Sequence, residues 1–398
     1  MQRFGLWCRR IQPPITIIRY PDVDSERIGI HEMRVLLVIH SLSEPGGAEF
    51  VAYQWARYLV ASGDQVTVYA THPHTEETIP DGVSLVRARQ CNVIAQTRDL
   101  ARYLKSQPVD VVLSLMPYCN LVSVAAVRSL GNSRPKVVIS GRTLERRTVV
   151  GRSQPRQQWL ARRLFRYTDL FIAISHPVAA EAIALYRLPW DRVTVVPNPA
   201  IAKLEDRPAR EDDSGGDPRR LDIAVPARLA PEKRPLIAVE VAAMLTQAYE
   251  YGVTVHYFGV GPLEGAIVDR ARQVGVDVVM HGWVDKWFDR CPPGSVVLLT
   301  STAEGFGNVL VEAAATGFRS VVSSHCMGSA DAVVPGLTGE LIAGDSAADY
   351  AAAVFATRRE MVGPVAPWLR RFTFEGSGGI LREALCRVTN SAGGPTRD

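Results

Sequence analysis

Apolar and polar positions along the chain fall into two alternating series separated by a polar break. The segment Arg34-Val-Leu-Leu-Val-Ile-His40 is a nearly continuous apolar run, as a parallel strand buried on both faces requires. After the Gly46-Gly47 turn a helix is predicted, with Ala48, Val51, Ala52, Trp55 and Leu59 on one face and Gly63 ending it. Short branched strands are predicted at 65–70, 110–115, 136–140, 169–174 and 192–196, with helices at 97–105, 121–130, 153–167 and 178–186. Residues 202–220 lose the apolar period and are rich in Asp, Arg, Gly and Pro, which reads as a linker. A second series has strands at 221–225, 253–258, 276–280, 295–299 and 320–323, and helices at 263–274, 308–316 and after Ala347. This alternation predicts an α/β protein of two Rossmann-like, doubly wound domains facing a central cleft. Ligands of such sheets bind beyond the carboxyl ends of the strands. The expected boundaries are an N-terminal extension at 1–32, a first domain at 33–200, a linker at 201–220, a second domain at 221–385 and a tail at 386–398.

Composition changes this picture little. A chain of 398 residues fits roughly two domains, and 47% apolar with 22% charged residues is ordinary for a globular protein. The net charge of +4 does not point to nucleic acid, and no nucleic-acid motif is present. Six scattered cysteines without a Cys-x-x-Cys argue for reduced cytosolic thiols, against a disulfide scaffold and against a zinc site. No run of residues reaches the length of an apolar membrane span. The first 32 residues do not read as a signal peptide, because Arg9, Arg10, Pro13, Pro14 and Arg19 interrupt their apolar runs. They are expected to be a dispensable extension or the product of an upstream start; an ordered first strand at 15–20 is the alternative.

The chemistry concentrates at strand exits. Ser301-Thr-Ala-Glu304-Gly-Phe-Gly-Asn308 follows a strand and opens a helix. Its glycines allow a ligand close to the backbone, and the helix start aims free N–H groups at it. Glu304 precedes the helix and Glu312 lies about 7–8 Å further along it. The two carboxylates could hold the two ends of a nucleotide sugar, but the spacing fits equally a turn with two surface glutamates. Arg228-Leu-Ala-Pro-Glu-Lys233 leaves the strand at 221–225 and places two cations where a departing diphosphate would need them. Such a site needs no metal, and no Asp-x-Asp metal motif is present.

With these elements in order, the sequence resembles the GT-B retaining glycosyltransferases of family 4. The resemblance runs from Met33 to about Leu385. It rests on Gly46-Gly47-Ala48-Glu49, Ala173-Ile-Ser175, Val196-Pro-Asn198-Pro, Ala227-Arg228-Leu229 with Lys233, Gly259-Val-Gly261-Pro, His281-Gly282-Trp283-Val284 and Glu304-x7-Glu312. Each piece is weak, while the ordered set is specific. The resemblance implies that Arg228 and Lys233 neutralise the donor diphosphate, that Glu304 contacts the transferred sugar and that Glu312 holds the ribose. It further implies that Gly305, Phe306, Gly307 and Asn308 bind the donor through their backbone. The base would lie against Gly282, Trp283 and Val284, and Gly46 and Gly47 would let the first domain close over the phosphates. The implied chemistry is metal-independent, cofactor-free front-face displacement with retention, from a UDP- or GDP-sugar.

Many members of the family carry a first-domain histidine beside the reacting sugar; here that region reads Leu115-Met-Pro-Tyr118-Cys-Asn120. The next strand exit, Ile139-Ser140-Gly-Arg142-Thr143, is similar to the Ser-x-Arg-Asn signature of a subgroup without that histidine, which makes Arg142 a candidate at the reaction centre. Between Arg142 and Tyr167 stand eight arginines and one acid, interleaved with Trp159, Leu160, Leu164 and Phe165. Such a helix can lie on an anionic membrane through Arg156, Trp159, Arg162 and Arg163; a solvated basic face with core aromatics is the alternative. The expected function is transfer of a hexose or N-acetylhexosamine to a lipid-linked or glycolipid acceptor in envelope glycan synthesis. The expected place is the cytoplasm, peripheral to the inner face of the plasma membrane. A nucleotide-sugar epimerase and a non-catalytic nucleotide-sugar-binding protein are the competing readings.

Overall fold

A computed structural model of the protein describes residues 32–42, 46–72, 77–89, 92–144, 154–204, 219–358, 362 and 365–390, with the backbone alone for 154–158. The expectations for the extension, for most of the linker and for residues beyond 390 lie outside the described residues.

The first half is a parallel sheet of β1 (Arg34–Ile39), β2 (Gln65–Ala70), β3 (Ser84–Arg87), β4 (Val111–Leu115), β5 (Lys136–Gly141), β6 (Leu170–Ala173) and β7 (Val193–Val195). Their spatial order is β3-β2-β1-β4-β5-β6-β7. Leu37 of β1 pairs with Val68 of β2 on one side and with Leu113 of β4 on the other, and all three are fully buried. That explains the unbroken apolar runs: helices cover both faces, so the central strands β1 and β4 have almost no position left to water. The second sheet contains β8 (Arg220–Val225), β9 (Gly252–Tyr257), β10 (Asp277–Met280), β11 (Val296–Leu299), β12 (Arg319–Ser323) and β13 (Gly339–Ile342), in the order β10-β9-β8-β11-β12-β13. Strand order reverses between β1 and β4 and again between β8 and β11. At each reversal the connecting helices leave to opposite faces, which opens a crevice at the carboxyl edge.

The helices of the first half are α1 (Gly47–Ala61), α2 (Val93–Ser106), α3 (Pro117–Arg128), α4 (Gln154–Leu164) and α5 (His176–Tyr186). Those following β8 are α6 (Leu236–Tyr249), α7 (Glu264–Val274), α8 (Trp287–Arg290), α9 (Asn308–Ala315), α10 (Ala347–Thr357), α11 (Ala366–Leu369) and α12 (Phe374–Asn390). None of the described helices is long and apolar enough to cross a membrane. Cys119, Cys291, Cys326 and Cys386 are free and buried.

Four of these elements depart from the sequence expectation in an instructive way. The edge strands β3 and β13 went unrecognised because each has four residues and little fully buried surface. Helix α6 also went unrecognised: Ala238, Val239, Val241, Ala242, Ala243 and Leu245 are all buried, so apolar residues cover most of its circumference and blur the helical period. The terminal helix was expected to belong to the second domain and to give way to a tail at 386. Instead α12 runs to Asn390 and packs on α1 of the first half. Leu381, Leu385 and Cys386 share a core with Leu37, Val51 and Trp55. Trp55 Nε1 donates to Ser377 Oγ at 2.9 Å, Ser377 Oγ donates to the Pro197 carbonyl at 2.6 Å, and Arg382 pairs with buried Asp64 at 2.8 Å. Periodicity reveals the amphipathic face of such a helix but not which surface covers it.

Candidate active site

The exits of β8 and β11 stand side by side at the reversal of the second sheet. After β8 a 3₁₀ turn at Pro231–Lys233 lays its backbone along the β11 exit: Thr300 Oγ1 donates to the Lys233 carbonyl at 2.8 Å, and Thr302 N to the Glu232 carbonyl at 2.9 Å. This brings Lys233 Nζ to 2.5 Å from Glu304 Oε1, which also accepts from Ser301 Oγ at 2.7 Å. Arg228 lies further out, exposed and paired with Glu232 one turn away. The two cations of the sequence motif thus reach the same edge, each with its own carboxylate.

Glu312 lies in the second turn of α9 and is buried. Its Oε2 accepts from Trp287 Nε1 at 2.7 Å, and its Oε1 is 3.1 Å from Lys203 Nζ. Lys203 comes from the 3₁₀ turn Ala202–Leu204 in the connection between the sheets, and its ammonium also donates to the Asp285 carbonyl at 3.0 Å. Burial pushes the Glu312 carboxyl above the usual glutamate range, while the Lys203 charge and the two hydrogen bonds pull it back.

Beside it, Gly282 (φ +70°) turns the chain after β10, leaving Trp283 62% exposed and Val284 half-buried against the Trp287 cluster. His281 stacks on Phe258 at 4.3 Å, approaches His256 at 3.1 Å, and His256 reaches Asp222 at 2.9 Å. Burial, then the charges of His256 and Arg290, hold His281 below the ordinary histidine range.

The loop carrying Glu304 also meets the first half. A Cβ at Gly305 would stand 2.0 Å from the Arg142 carbonyl, so no larger residue fits, and the Gly305 carbonyl accepts from Ser175 Oγ at 2.7 Å. Gly307 takes φ +96° as the residue capping α9. The Phe306 side chain is buried, its ring 5.5 Å from that of Phe372. Asn308 Oδ1 accepts from Asn198 Nδ2 at 2.8 Å, and Asn198 Oδ1 accepts from Arg142 Nη2 at 2.5 Å. A chain of polar contacts therefore runs from Arg142 through Asn198 to the start of α9. Arg142 is half-buried, 5.2 Å from the Trp55 ring; burial lowers its guanidinium to about 9, with the field of Glu49 opposing, so it stays charged at neutral pH. Gly46 caps α1 and Gly47 opens it, with Glu49 folded back over the turn.

Three rings gather at the reversal of the first sheet. His40 follows β1, His72 follows β2 and Tyr118 follows β4, with centroids 4.8–5.4 Å apart. Tyr118 donates to Gln96 at 2.9 Å.

On α4, Trp159 is 55% exposed with the Arg163 guanidinium 4.2 Å over its ring, and Arg162 is exposed. The neighbouring Arg128 lies 3.5 Å over Tyr167. The Arg156 side chain lies outside the described residues. Ala161 of α4 and Phe165 just beyond it are core, as the solvated-face alternative also expects.

Sequence reasoning missed Lys203, Trp287, Asn198 and the His40–His72–Tyr118 cluster. Asn198, within Val196-Pro-Asn198-Pro, was read as closing the first domain; His40 and Tyr118 stood in the first strand and in the region without a histidine, with nothing to show that they meet. The others depend on approaches between distant segments that no local pattern encodes.

Comparison with known proteins fits this geometry. The family "Glycosyltransferase Family 4" matches residues 45–201, and "Glycosyl transferases group 1" matches residues 220–357. A D-inositol 3-phosphate glycosyltransferase from Pseudarthrobacter chlorophenolicus is 29% identical over 195 residues, spanning 45% of this chain and 45% of that protein. The match therefore covers less than half the length of that relative. The fold is similar to that of the apo lipopolysaccharide outer core galactosyltransferase WaaB, at TM-score 0.70 and 18% identity over 89% of this chain and 99% of that one. It is also similar to Anabaena Alr3699/HepE in complex with UDP and glucose, at TM-score 0.61 and 17% identity over 90% and 97%. Two parallel Rossmann-like sheets of GT-B type, matched by family models over both halves, make this chain a member of the family 4, group 1 glycosyltransferases.

Proposed function

We propose that the protein is a retaining glycosyltransferase that moves a hexose or N-acetylhexosamine from a UDP- or GDP-sugar to a lipid-linked or glycolipid acceptor. The observation that carries this reading is the Lys233–Glu304 pair at the crevice between β8 and β11, with Arg228 beside it. A diphosphate offers more charge to Lys233 than one carboxylate does, so the ammonium can turn to it and release Glu304 to the sugar hydroxyls. Arg228 closes from the exposed side, the N–H groups of Gly305 to Asn308 face the donor at the start of α9, and Glu312 takes the ribose. The C1–O bond to the diphosphate breaks as the acceptor hydroxyl attacks the same face. The hydroxyl proton passes to the departing phosphate oxygen, whose charge Lys233 and Arg228 hold. No metal is required in this scheme, and EDTA should leave the rate unchanged; strong inhibition would contradict it. HepE, crystallised with UDP and glucose, and WaaB, a lipopolysaccharide outer core galactosyltransferase, support the donor class and the envelope setting. The basic, aromatic face of α4 supports an acceptor presented at an anionic membrane surface on the cytoplasmic side.

The test is a thermal-shift screen against UDP-, GDP- and ADP-sugars, followed by product analysis with lipid-linked acceptors. Stabilisation by one donor class and an α-linked product from an α-linked donor are expected. Inversion would remove the retaining mechanism. Conversion of the donor without acceptor would favour an epimerase, and binding without turnover a non-catalytic protein.

A further inference from the structure

Lys203 ties the connection between the sheets to the carboxylate edge of the second half. Its backbone follows Ala200 and Ile201, which pack in the core shared with the first half, whereas its ammonium reaches α9 and the loop before α8 in the second. There it meets Glu312 Oε1 at 3.1 Å, the Asp285 carbonyl at 3.0 Å and Asp285 Oδ1 at 3.8 Å, with the Phe288 ring 5.6 Å away. We propose that Lys203 is a positioning residue for donor binding, holding the Glu312 carboxylate charged and oriented for two ribose hydroxyls. This inference rests on the reading of the second half as a nucleotide-sugar site.

Glu312 is buried next to Ala313 and Trp287, both members of an apolar cluster, where an isolated carboxylate takes up a proton rather than remain charged. Trp287 is neutral and can only donate, so it orients Oε2 without supplying charge. Among the described residues, the charged groups bearing on Glu312 are Lys203, which favours ionisation, and Asp285, which opposes it. An ionised carboxylate has about four acceptor positions. Trp287 and Lys203 use two, which leaves one on each oxygen for a pair of neighbouring hydroxyls. Without Lys203 the carboxyl would protonate and lose the acceptor character those hydroxyls need.

The experiment compares wild type with Lys203→Met, which keeps the stem, and Lys203→Arg, which keeps the charge. Binding of UDP and GDP is measured by calorimetry between pH 5.5 and 9. The Glu312 carboxyl is titrated by carbon-13 NMR, its signal assigned with Glu312→Gln. At pH 7 Lys203→Met should weaken the bound nucleotide about tenfold, the scale of one charge-assisted hydrogen bond. That deficit should shrink as pH rises and Glu312 ionises, and the Glu312 signal should titrate at higher pH than in wild type. Lys203→Arg should restore both. Should Lys203→Met fold poorly, Lys203→Gln makes the same comparison. An unchanged Glu312 titration, or an equal loss at every pH, would overturn the proposal. If the wild type binds neither nucleotide, the donor reading fails, while the carboxyl titration still decides what Lys203 does.

Discussion

On the edge of the second sheet the site carboxylates already hold cations: Glu232 with Arg228, Glu304 with Lys233 and Glu312 with Lys203. On the edge of the first sheet, the Arg142 guanidinium donates to the neutral groups of Asn198 and Ser140, while Glu49 acts on it through its field. The second edge can therefore exchange partners when a charged ligand arrives, with little net change in the number of ion pairs. The first edge carries a positive charge fixed by neutral dipoles, and burial has already removed part of its hydration. Such a group responds to charge that develops late, during bond breaking, rather than to a ligand that is anionic throughout.

The contrast breaks most visibly at the Lys233–Glu304 pair. Glu304→Ala and Lys233→Ala should each lower kcat by about 10²- to 10³-fold, the scale of losing one preorganised charge contact, with thermal unfolding showing an intact fold. Because the two act as one unit, the double variant should be far less impaired than the product of the single effects. Near-normal rates would remove the active-site assignment.

A smaller effect, of about 10- to 100-fold on kcat, is expected for Arg142→Gln, with UDP or GDP affinity unchanged. Equal losses in binding and turnover would show that the first edge also holds the donor, and the distinction would collapse.

Acidification probes Glu312. Burial favours its neutral form, so its folded-state pKa lies above the ordinary glutamate value, and the form that accepts ribose hydroxyls is the charged one. Nucleotide affinity should therefore be full at high pH and fall on acidification before the usual glutamate range is reached. In Glu312→Gln that acid limb should vanish from calorimetric titrations, leaving weak binding at every pH.

The smallest effect belongs to α4. Arg162→Ala with Arg163→Ala should weaken binding to anionic vesicles by about 1 kcal/mol per arginine in co-sedimentation, with nucleotide affinity untouched. Unchanged vesicle binding would make that face an ordinary solvated one.

How much of this was legible in the sequence follows from distance along the chain. Residues 301–312 could be read because strand, turn and helix are consecutive, so Glu304, Gly305 and Gly307 fall at one edge whatever surrounds them. The Arg228–Lys233 loop was legible for the same reason, although its pairing with Glu304 needed the neighbouring exits of β8 and β11. The backbone role expected of Phe306 gave no hint that its side chain belongs to the core. Lys203 was one more charged residue in a polar stretch, and only the fold brings it under α9. His40, His72 and Tyr118 come from three strand exits that become neighbours because the strand order places β1 between β2 and β4. The region where a single histidine was missed contributes one ring to that trio.

The return of α12 gives the molecule a mechanical property. The backbone passes between the halves twice, once near Ile201 and once between α10 and α12, and the two passages touch where Ile201 N donates to the Phe372 carbonyl at 3.1 Å. Two adjacent, hydrogen-bonded crossings brace each other, so displacing either stretch of the connection strains the other.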